Sequence, residues 1–151
     1  MRFLFVCTGN SCRSVMAEYL LNKLAADRGL PWEARSAGIA AERYFKVPPG
    51  VFNALLERDI KDIEHTPRLV TREAMKWADI VLGMEALHVE ALHDLFSEHI
   101  GKTKLFLEHA GLGARGVDDP IGKPDEVYKR IRDVIEAGIE AMIKREAHAK
   151  P

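Results

Sequence analysis

Residues 1–20 of the chain read MRFLFVCTGNSCRSVMAEYL. The run from Arg2 to Cys7 is short and almost wholly apolar, which is typical of a strand buried on both faces of a parallel sheet. From Ser14 to Arg28 apolar residues recur at helical spacing, and Gly29 follows where a helix commonly ends. We therefore predict a strand, a short loop and a helix in this order.

The rest of the chain alternates between the same two patterns. Further strands are predicted at 32–36, 79–84 and 104–107, helices at 51–58, 71–77, 85–96 and 125–145, and loops at 39–50 and 109–124. Strands separated by helices predict an α/β fold, with a parallel sheet, right-handed crossovers and helices on both faces. Because no repeat or linker interrupts the pattern, residues 1–151 are expected to form a single domain. In such folds ligands bind beyond the carboxyl ends of the strands, where Cys7 lies.

The composition excludes several classes of protein. At 151 residues, with 47% hydrophobic and 30% charged residues, the chain suits an ordinary globular domain. A formal net charge of −1 gives no global attraction to nucleic acid, so no nucleic-acid partner is predicted. No apolar run approaches the roughly 20 residues needed to cross a bilayer, so no membrane is predicted. With two cysteines and no secretory signal at its start, the chain is expected to be cytoplasmic.

The loop after Cys7 has the features of an anion-binding site. Gly9 and Asn10 tolerate positive φ, so backbone N–H groups can turn inward towards one point. The helix that follows adds its N-terminal dipole, and Arg13 adds a planar guanidinium that can hold two phosphate oxygens. These groups favour the thiolate of Cys7 over its thiol, and the Ser14 hydroxyl can donate a further hydrogen bond.

Other interpretations of these cysteines are weaker. A lone cysteine that ends a strand is more often a small buried hydrophobe, and Cys-x5-Arg spacing occurs by chance. It is the combination of buried strand, Gly-Asn turn, arginine, serine and helix that favours a nucleophile. A zinc site needs about four ligands, so no metal is predicted. The loop also lacks the Lys-Ser/Thr ending of nucleotide-binding loops.

These residues resemble a known family. VCTGNSCRS followed by MAE is similar to the phosphate-binding loop of the low-molecular-weight protein tyrosine phosphatases. Further family motifs are matched, in family order, by Ser36-Ala37-Gly38, HTPRLVT at 65–71, ADIVLGM at 78–84 and Asp119-Pro120. The resemblance implies a three-layer sandwich in which about five helices flank a four-stranded parallel sheet of order 2-1-3-4.

The resemblance also implies a mechanism that needs no cofactor. Cys7 is expected to be the nucleophile, Arg13 the phosphate clamp and Asp119 the general acid and base; Asp118 is the neighbour to rule out. The loop expected to bind phosphate or other oxyanions comprises Thr8, Gly9, Asn10, Ser11, Cys12, Arg13 and Ser14. Asn10, Ser36 and His65 match a hydrogen-bond network that holds this loop. Considered alone, His65 is more often structural, and an aspartate before proline usually marks a turn.

The implied substrates are phosphorylated proteins, and there are two candidates for the phosphorylated residue on which the enzyme acts. Phosphotyrosine is the family-level expectation, and Tyr44 and Phe45 are candidates for an aromatic wall. Phosphoarginine is the alternative, because Ser11 stands where many tyrosine phosphatases carry an apolar residue and protein-arginine phosphatases carry threonine. Asp118 is a candidate acidic group near a cationic substrate. Ile121-Gly122 replace the two tyrosines of the eukaryotic branch, so tyrosine-based regulation is not predicted.

Two other functions fit these residues less well. Arsenate reductases share this fold and loop but need a further cysteine pair downstream, and the chain has no cysteine after Cys12. A noncatalytic phosphate-binding module has no need of Cys7 and Asp119 together. Cys12 either forms a reversible disulfide with Cys7 under oxidation or is simply a small buried side chain.

Overall fold

The computed structural model describes residues 1–149, and their side chains as far as residue 146. Its sheet consists of β1 (Arg2–Cys7), β2 (Glu33–Gly38), β3 (Ile80–Gly83) and β4 (Thr103–Leu105). The strands are all parallel and lie in the order β2-β1-β3-β4. This confirms the parallel α/β sheet and its order. Residues 150 and 151 of the predicted domain lie outside the described residues.

Helices fill the connections between the strands. They are α1 (Arg13–Asp27), α2 (Pro49–Leu56), α3 (Arg72–Trp77), α4 (Ala86–Leu95), α5 (Phe106–His109) and α6 (Asp125–Ala149), with a 3-10 helix at Ser97–Lys102. The five predicted helices are present. The apolar pattern does not indicate α5 or the 3-10 helix, because elements of one or two turns are too short to show a helical period. Among residues 1–149 no helix is long and apolar enough to cross a membrane.

The ends of several elements differ from the prediction. The strand predicted at 104–107 ends at Leu105, because α5 begins at Phe106. Two further differences have local reasons. β2 was predicted to end at Ser36 but continues to Gly38, because Ala37 and Gly38 pair with the last two residues of β1. α2 was predicted to begin at Val51 but begins at Pro49, since proline suits the first turn of a helix, where its missing N–H is not needed.

The side chains of β1 point alternately to the two faces of the sheet, and both faces are buried, which explains its apolar sequence. Phe3 and Phe5 face the larger hydrophobic cluster, which is built with α1 and α6. Leu4 and Val6 face the opposite cluster, which includes residues of α3 and α4. The strand is therefore buried on both faces, and the helices form the two outer layers of a three-layer sandwich. This packing fixes the carboxyl end of β1, which carries Cys7.

Candidate active site

The loop between β1 and α1 curls over the carboxyl end of β1. Asn10 adopts a left-handed conformation with φ of 53°, which asparagine tolerates better than most residues. Its backbone N–H donates to Cys7 Sγ at 3.3 Å. The hydroxyl of Ser14, in the first turn of α1, lies 2.8 Å from the same sulfur. The structure thus brings the predicted backbone and hydroxyl donors together at Cys7.

The side-chain amide of Asn10 fixes the direction of these hydrogen bonds. Its Nδ2 donates to Ser14 Oγ at 2.8 Å and to Ser36 Oγ at 2.9 Å. Because Ser14 Oγ accepts from Asn10, its own hydrogen is available for Cys7 Sγ. Ser36 Oγ in turn donates to Glu18 Oε1 at 2.5 Å, and burial raises the pKa of Glu18.

The carbonyl end of the Asn10 side chain contacts the segment before α3. Asn10 Oδ1 accepts from His65 Nε2 at 3.0 Å and from the backbone N–H of Arg68 at 3.1 Å. Burial and the nearby Arg68 lower the pKa of His65, so its neutral form, with the hydrogen on Nε2, is favoured. Asn10, Ser36 and His65 therefore lie in one hydrogen-bonded network behind the loop.

Gly38 allows the loop to pack against the end of β2. A Cβ atom at this position would lie 2.4 Å from the backbone oxygen of Thr8. The Gly38 N–H donates to Arg68 O, and the next residue, Ile39, donates to Cys7 O. The glycine of the Ser36-Ala37-Gly38 motif is thus required by a close approach between two backbones.

Arg13 is buried, with 3% of its surface exposed, and one of its nitrogens holds it in place. Nη1 donates to Val117 O at 2.8 Å and pairs with Glu85 Oε2 at 2.9 Å. Nη2 lies 3.7 Å from Asp119 Oδ2. Among residues 1–149, Nε and Nη2 have no hydrogen-bond partner, so this edge of the guanidinium can bind an oxyanion.

Asp119 is placed by the turn that follows it. Its Oδ1 accepts from the backbone N–H of Ile121 at 3.1 Å, and its side chain is 46% exposed. One carboxyl oxygen is therefore held while the other stays accessible beside Arg13. Asp119 therefore shapes the turn, as an aspartate before proline usually does, and also lies at the site.

These groups surround a cavity of about 340 Å³. Its lining comprises Cys7, Thr8, Gly9, Ser11, Cys12, Arg13, Phe45, Lys46, Asp119 and Ile121. Of the two predicted wall candidates in loop 39–50, Phe45 lines the cavity, whereas Tyr44 packs edge-on against Phe45 and is 76% exposed. Asp118 is exposed and does not line the cavity. No group of three or more potential metal ligands occurs among residues 1–149.

Two residues at the start of α4 join the site although the sequence analysis did not single them out. Glu85 caps α4 in a capping box with His88, and it also pairs with Arg13. His88 Nε2 lies 2.9 Å from Thr8 Oγ1. The order Glu-Ala-Leu-His at 85–88 departs from the Ser/Thr-x-x-Glu/Gln signature of a capping box, so the sequence held no clear signal for this pair.

Cys12 lies in the same loop but differs from Cys7 in its surroundings. It is 4% exposed, and burial raises its pKa to about 11. Ser11 Oγ lies 3.7 Å from its sulfur. Both cysteines are free, and Cys12 is held as a thiol at neutral pH.

Comparison with known proteins identifies the family of this loop and fold. The family model described as low molecular weight phosphotyrosine protein phosphatase matches residues 2–150. The chain belongs to this family, and it is a hydrolase that acts on phosphoproteins.

The relatives differ in the chemistry that their names state. A protein-arginine-phosphatase of Bacillus subtilis (strain 168) is 35% identical over 96% of each chain. An arsenate reductase of Staphylococcus haemolyticus (strain JCSC1435) is 32% identical over 93% of this chain and 95% of its own. The crystal structure of a low molecular weight protein tyrosine phosphatase from T. tengcongensis is 37% identical, with a TM-score of 0.91 over 96% of this chain and 99% of its own.

Proposed function

We propose that the chain hydrolyses phosphoproteins by two displacements at phosphorus, with Cys7 as the nucleophile. The observation that carries this proposal is the pair of donors on Cys7 Sγ, the Ser14 hydroxyl at 2.8 Å and the Asn10 N–H at 3.3 Å. Hydrogen bonds to sulfur favour the thiolate, which is the form that attacks phosphorus. Catalysis by Cys7 therefore follows from the same contacts that shape the loop.

In the first displacement the S–P bond forms as the bond to the leaving group breaks. The free edge of Arg13 and the backbone N–H groups of the loop bind the phosphoryl oxygens and stabilise their developing charge. Asp119 gives its proton to the departing atom, and a phosphocysteine remains.

In the second displacement water attacks the phosphocysteine. Asp119, now a carboxylate, takes a proton from the water as its oxygen bonds to phosphorus. The S–P bond breaks, the electron pair returns to Cys7 as thiolate, and phosphate leaves. No residue other than Cys7, Arg13 and Asp119 is required for bond making or proton transfer.

The test of this mechanism is Cys7→Ser. Turnover is expected to fall below detection, because a serine hydroxyl is not ionised at neutral pH, whereas tungstate binding measured by calorimetry persists because Arg13 and the loop amides remain. Appreciable phosphatase activity of the variant would contradict the role of Cys7.

We propose phosphoarginine as the preferred substrate residue. Ser11 lines the cavity with a hydroxyl that can accept a hydrogen bond from a guanidinium N–H, where an apolar side chain cannot. The carboxyl group of Asp119 lines the same cavity, and its oxygen can accept a further hydrogen bond from the guanidinium. The 35% identical relative from Bacillus subtilis carries the name of a protein-arginine-phosphatase, which supports the same assignment.

Phosphotyrosine is the second candidate, and one observation favours it. Phe45 and Ile121 line the cavity, and both present apolar surface that a phenol ring can contact. The structure from T. tengcongensis is that of a tyrosine phosphatase by name. The two candidates thus depend on different residues of one cavity.

Turnover of matched phosphoarginine and phosphotyrosine peptides separates them. Ser11→Ile is expected to lower kcat/KM for phosphoarginine by a factor of about 10 to 100 relative to phosphotyrosine, since one hydrogen bond to a charged group contributes about 1.5–3 kcal/mol. Ser11→Thr is the matched control, because it keeps the hydroxyl and should keep the ratio. An unchanged ratio in Ser11→Ile would remove Ser11 as a specificity residue.

The proposal also covers the setting of the enzyme. We take residues 1–151 as one catalytic domain, since one sheet with its helices accounts for the described part of the chain. The cytoplasm is the proposed location, because a reducing compartment keeps Cys7 and Cys12 as the free cysteines that the structure contains.

A further inference from the structure

The hydroxyl of Thr8 is held by a buried histidine. Thr8 directly follows Cys7, is exposed and lines the catalytic cavity. Its Oγ1 lies 2.9 Å from Nε2 of His88. His88 has no exposed surface and lies in the first turn of α4. A buried side chain from another element therefore contacts the wall of the cavity.

The contacts of His88 determine which of its nitrogens carries the hydrogen. The backbone N–H of Glu85 donates to Nδ1 at 3.0 Å, so Nδ1 is the acceptor. Burial and the charge of Arg13 lower the pKa of His88 to about 4, so the ring is neutral at pH 7. A neutral ring that accepts at Nδ1 donates at Nε2. Thr8 Oγ1 is therefore the acceptor in the bond between them.

The hydrogen of the Thr8 hydroxyl remains available for a ligand. Within residues 1–149, Thr8 Oγ1 has no hydrogen-bond partner other than His88. Glu85, whose backbone N–H donates to His88, also pairs with Arg13, so the Thr8–His88 pair lies on the side of the cavity where Arg13 is held. Because this hydroxyl accepts from His88, it keeps its own hydrogen to donate towards the cavity.

We propose that the Thr8 hydroxyl donates a hydrogen bond to a non-bridging oxygen of the bound phosphoryl group, and that His88 is the positioning residue that orients it. This inference rests on the proposed function, because it takes the cavity to be an oxyanion site. It adds a side-chain donor to the backbone amides of the loop. Charge on these oxygens is redistributed in the transition state. A donor that is already fixed in position therefore stabilises the transition state more than a donor on a mobile side chain does.

Three variants test the hydroxyl itself. Thr8→Val keeps the shape of the side chain without the hydroxyl, Thr8→Ser keeps the hydroxyl, and Thr66→Val removes an exposed threonine that does not line this cavity. We expect Thr8→Val to lower kcat for p-nitrophenyl phosphate about tenfold or more, with a smaller change in KM, and to weaken tungstate binding by a similar factor. Thr66→Val should stay within threefold of wild type, and Thr8→Ser, which keeps the hydroxyl, should lose less activity than Thr8→Val.

A double-mutant cycle tests the role of His88. His88→Gln is expected to lower kcat in the wild-type background and to have little further effect in Thr8→Val, because the hydroxyl that His88 orients is already absent. A purely structural role of His88 would instead give the same loss in both backgrounds, and that result would overturn its assignment. Unfolding in urea shows whether His88→Gln is folded; if it is not, His88→Asn replaces it in the cycle.

The outcomes distinguish this inference from the proposed function. A loss of less than threefold for Thr8→Val in both kcat and tungstate affinity overturns the inference, as does an equal loss in Thr8→Ser. If the wild type has no phosphatase activity but its tungstate affinity depends on the Thr8 hydroxyl, the proposed function fails and the inference stands. If phosphatase activity is present and independent of Thr8, the proposed function stands and the inference fails.

Discussion

Asp119 Oδ2 lies 3.7 Å from Nη2 of Arg13, so the proposed acid and the proposed phosphate clamp are neighbours across one cavity. Each is held by a contact that leaves its reactive edge free. Arg13 uses Nη1 for Val117 O and Glu85, and Asp119 uses Oδ1 for the N–H of Ile121. A phosphoryl group bound by Arg13 would therefore have its leaving atom close to a carboxyl group.

Asp119→Asn should show a loss that depends on the leaving group. An amide cannot give a proton, so we expect kcat for phenyl phosphate to fall by a factor of about 10² to 10⁴. The loss for p-nitrophenyl phosphate should be smaller, because its phenolate leaves without protonation. Asp118→Asn is the matched control, since Asp118 is exposed and does not line the cavity. Equal losses in the two aspartate variants would contradict the assignment of Asp119.

Gly38→Ala should impair the loop through a backbone clash. The added Cβ would lie 2.4 Å from Thr8 O, and the residue after Gly38, Ile39, donates its N–H to Cys7 O, so a shift of this segment would reach Cys7. We expect a destabilisation of about 1–3 kcal/mol in urea unfolding and a clear loss of kcat. Gly101→Ala is the matched control, because nothing lies within 4 Å of its added Cβ, and it should change stability by less than about 0.5 kcal/mol.

Cys12 is expected to protect Cys7 from irreversible oxidation. Peroxide converts the Cys7 thiolate to a sulfenic acid; attack by the Cys12 thiolate then forms the S–S bond and releases hydroxide. The pKa of Cys12 is raised to about 11. Below that pH the fraction of Cys12 thiolate rises about tenfold with each unit of increasing pH, so the disulfide should form about tenfold faster for each unit. Dithiothreitol should restore activity to oxidised wild type but not to oxidised Cys12→Ser. Full recovery of both would assign Cys12 to packing alone.

The stability of the fold should decrease in mild acid because of His88. Its folded-state pKa of about 4 lies below the ordinary value of 6.5, so the unfolded chain binds the proton more tightly. Stability is therefore full above about pH 6.5 and falls as the pH is lowered towards 4, by up to about 3 kcal/mol from this residue. His65 and His109, whose pKa values are also lowered by burial, act in the same direction.

Urea unfolding of wild type and His88→Gln at pH 7.5 and pH 4.5 measures this contribution. Glutamine does not titrate, so the difference in unfolding free energy between the two pH values should be smaller in the variant. A difference as large as that of wild type would show that His88 does not titrate between these limits.

The sequence was sufficient for the parts of the site that are local. Cys7, the loop and Arg13 are contiguous, so their pattern predicted the strand–loop–helix that the structure shows. The anion-binding chemistry of the same residues stays a prediction. Asn10, Ser36 and His65 come from three separate segments, and only the family resemblance grouped them. The structure then supplied the contacts that join them, at 2.9 Å and 3.0 Å from the side chain of Asn10.

Contacts between distant segments were not predictable in the same way. Glu85 and Val117 hold Arg13 from two other loops, and nothing in the order of residues pairs a carboxylate with an arginine 72 positions away, from 13 to 85. The sequence also could not show which residue of the aromatic pair, Tyr44 or Phe45, lines the cavity. Their side chains leave an irregular loop in different directions, and only Phe45 turns towards the cavity.

The capping box of α4 has a consequence for motion. Glu85 and His88 close the first turn of this helix. The same two side chains contact opposite ends of the loop between β1 and α1, Glu85 at Arg13 and His88 at Thr8. Fraying of that turn would release both ends at once, so the helix start and the loop belong to one cooperative opening unit. An oxyanion in the loop should then slow hydrogen exchange at the amides of His88 and Val89, on an element that the ligand never touches.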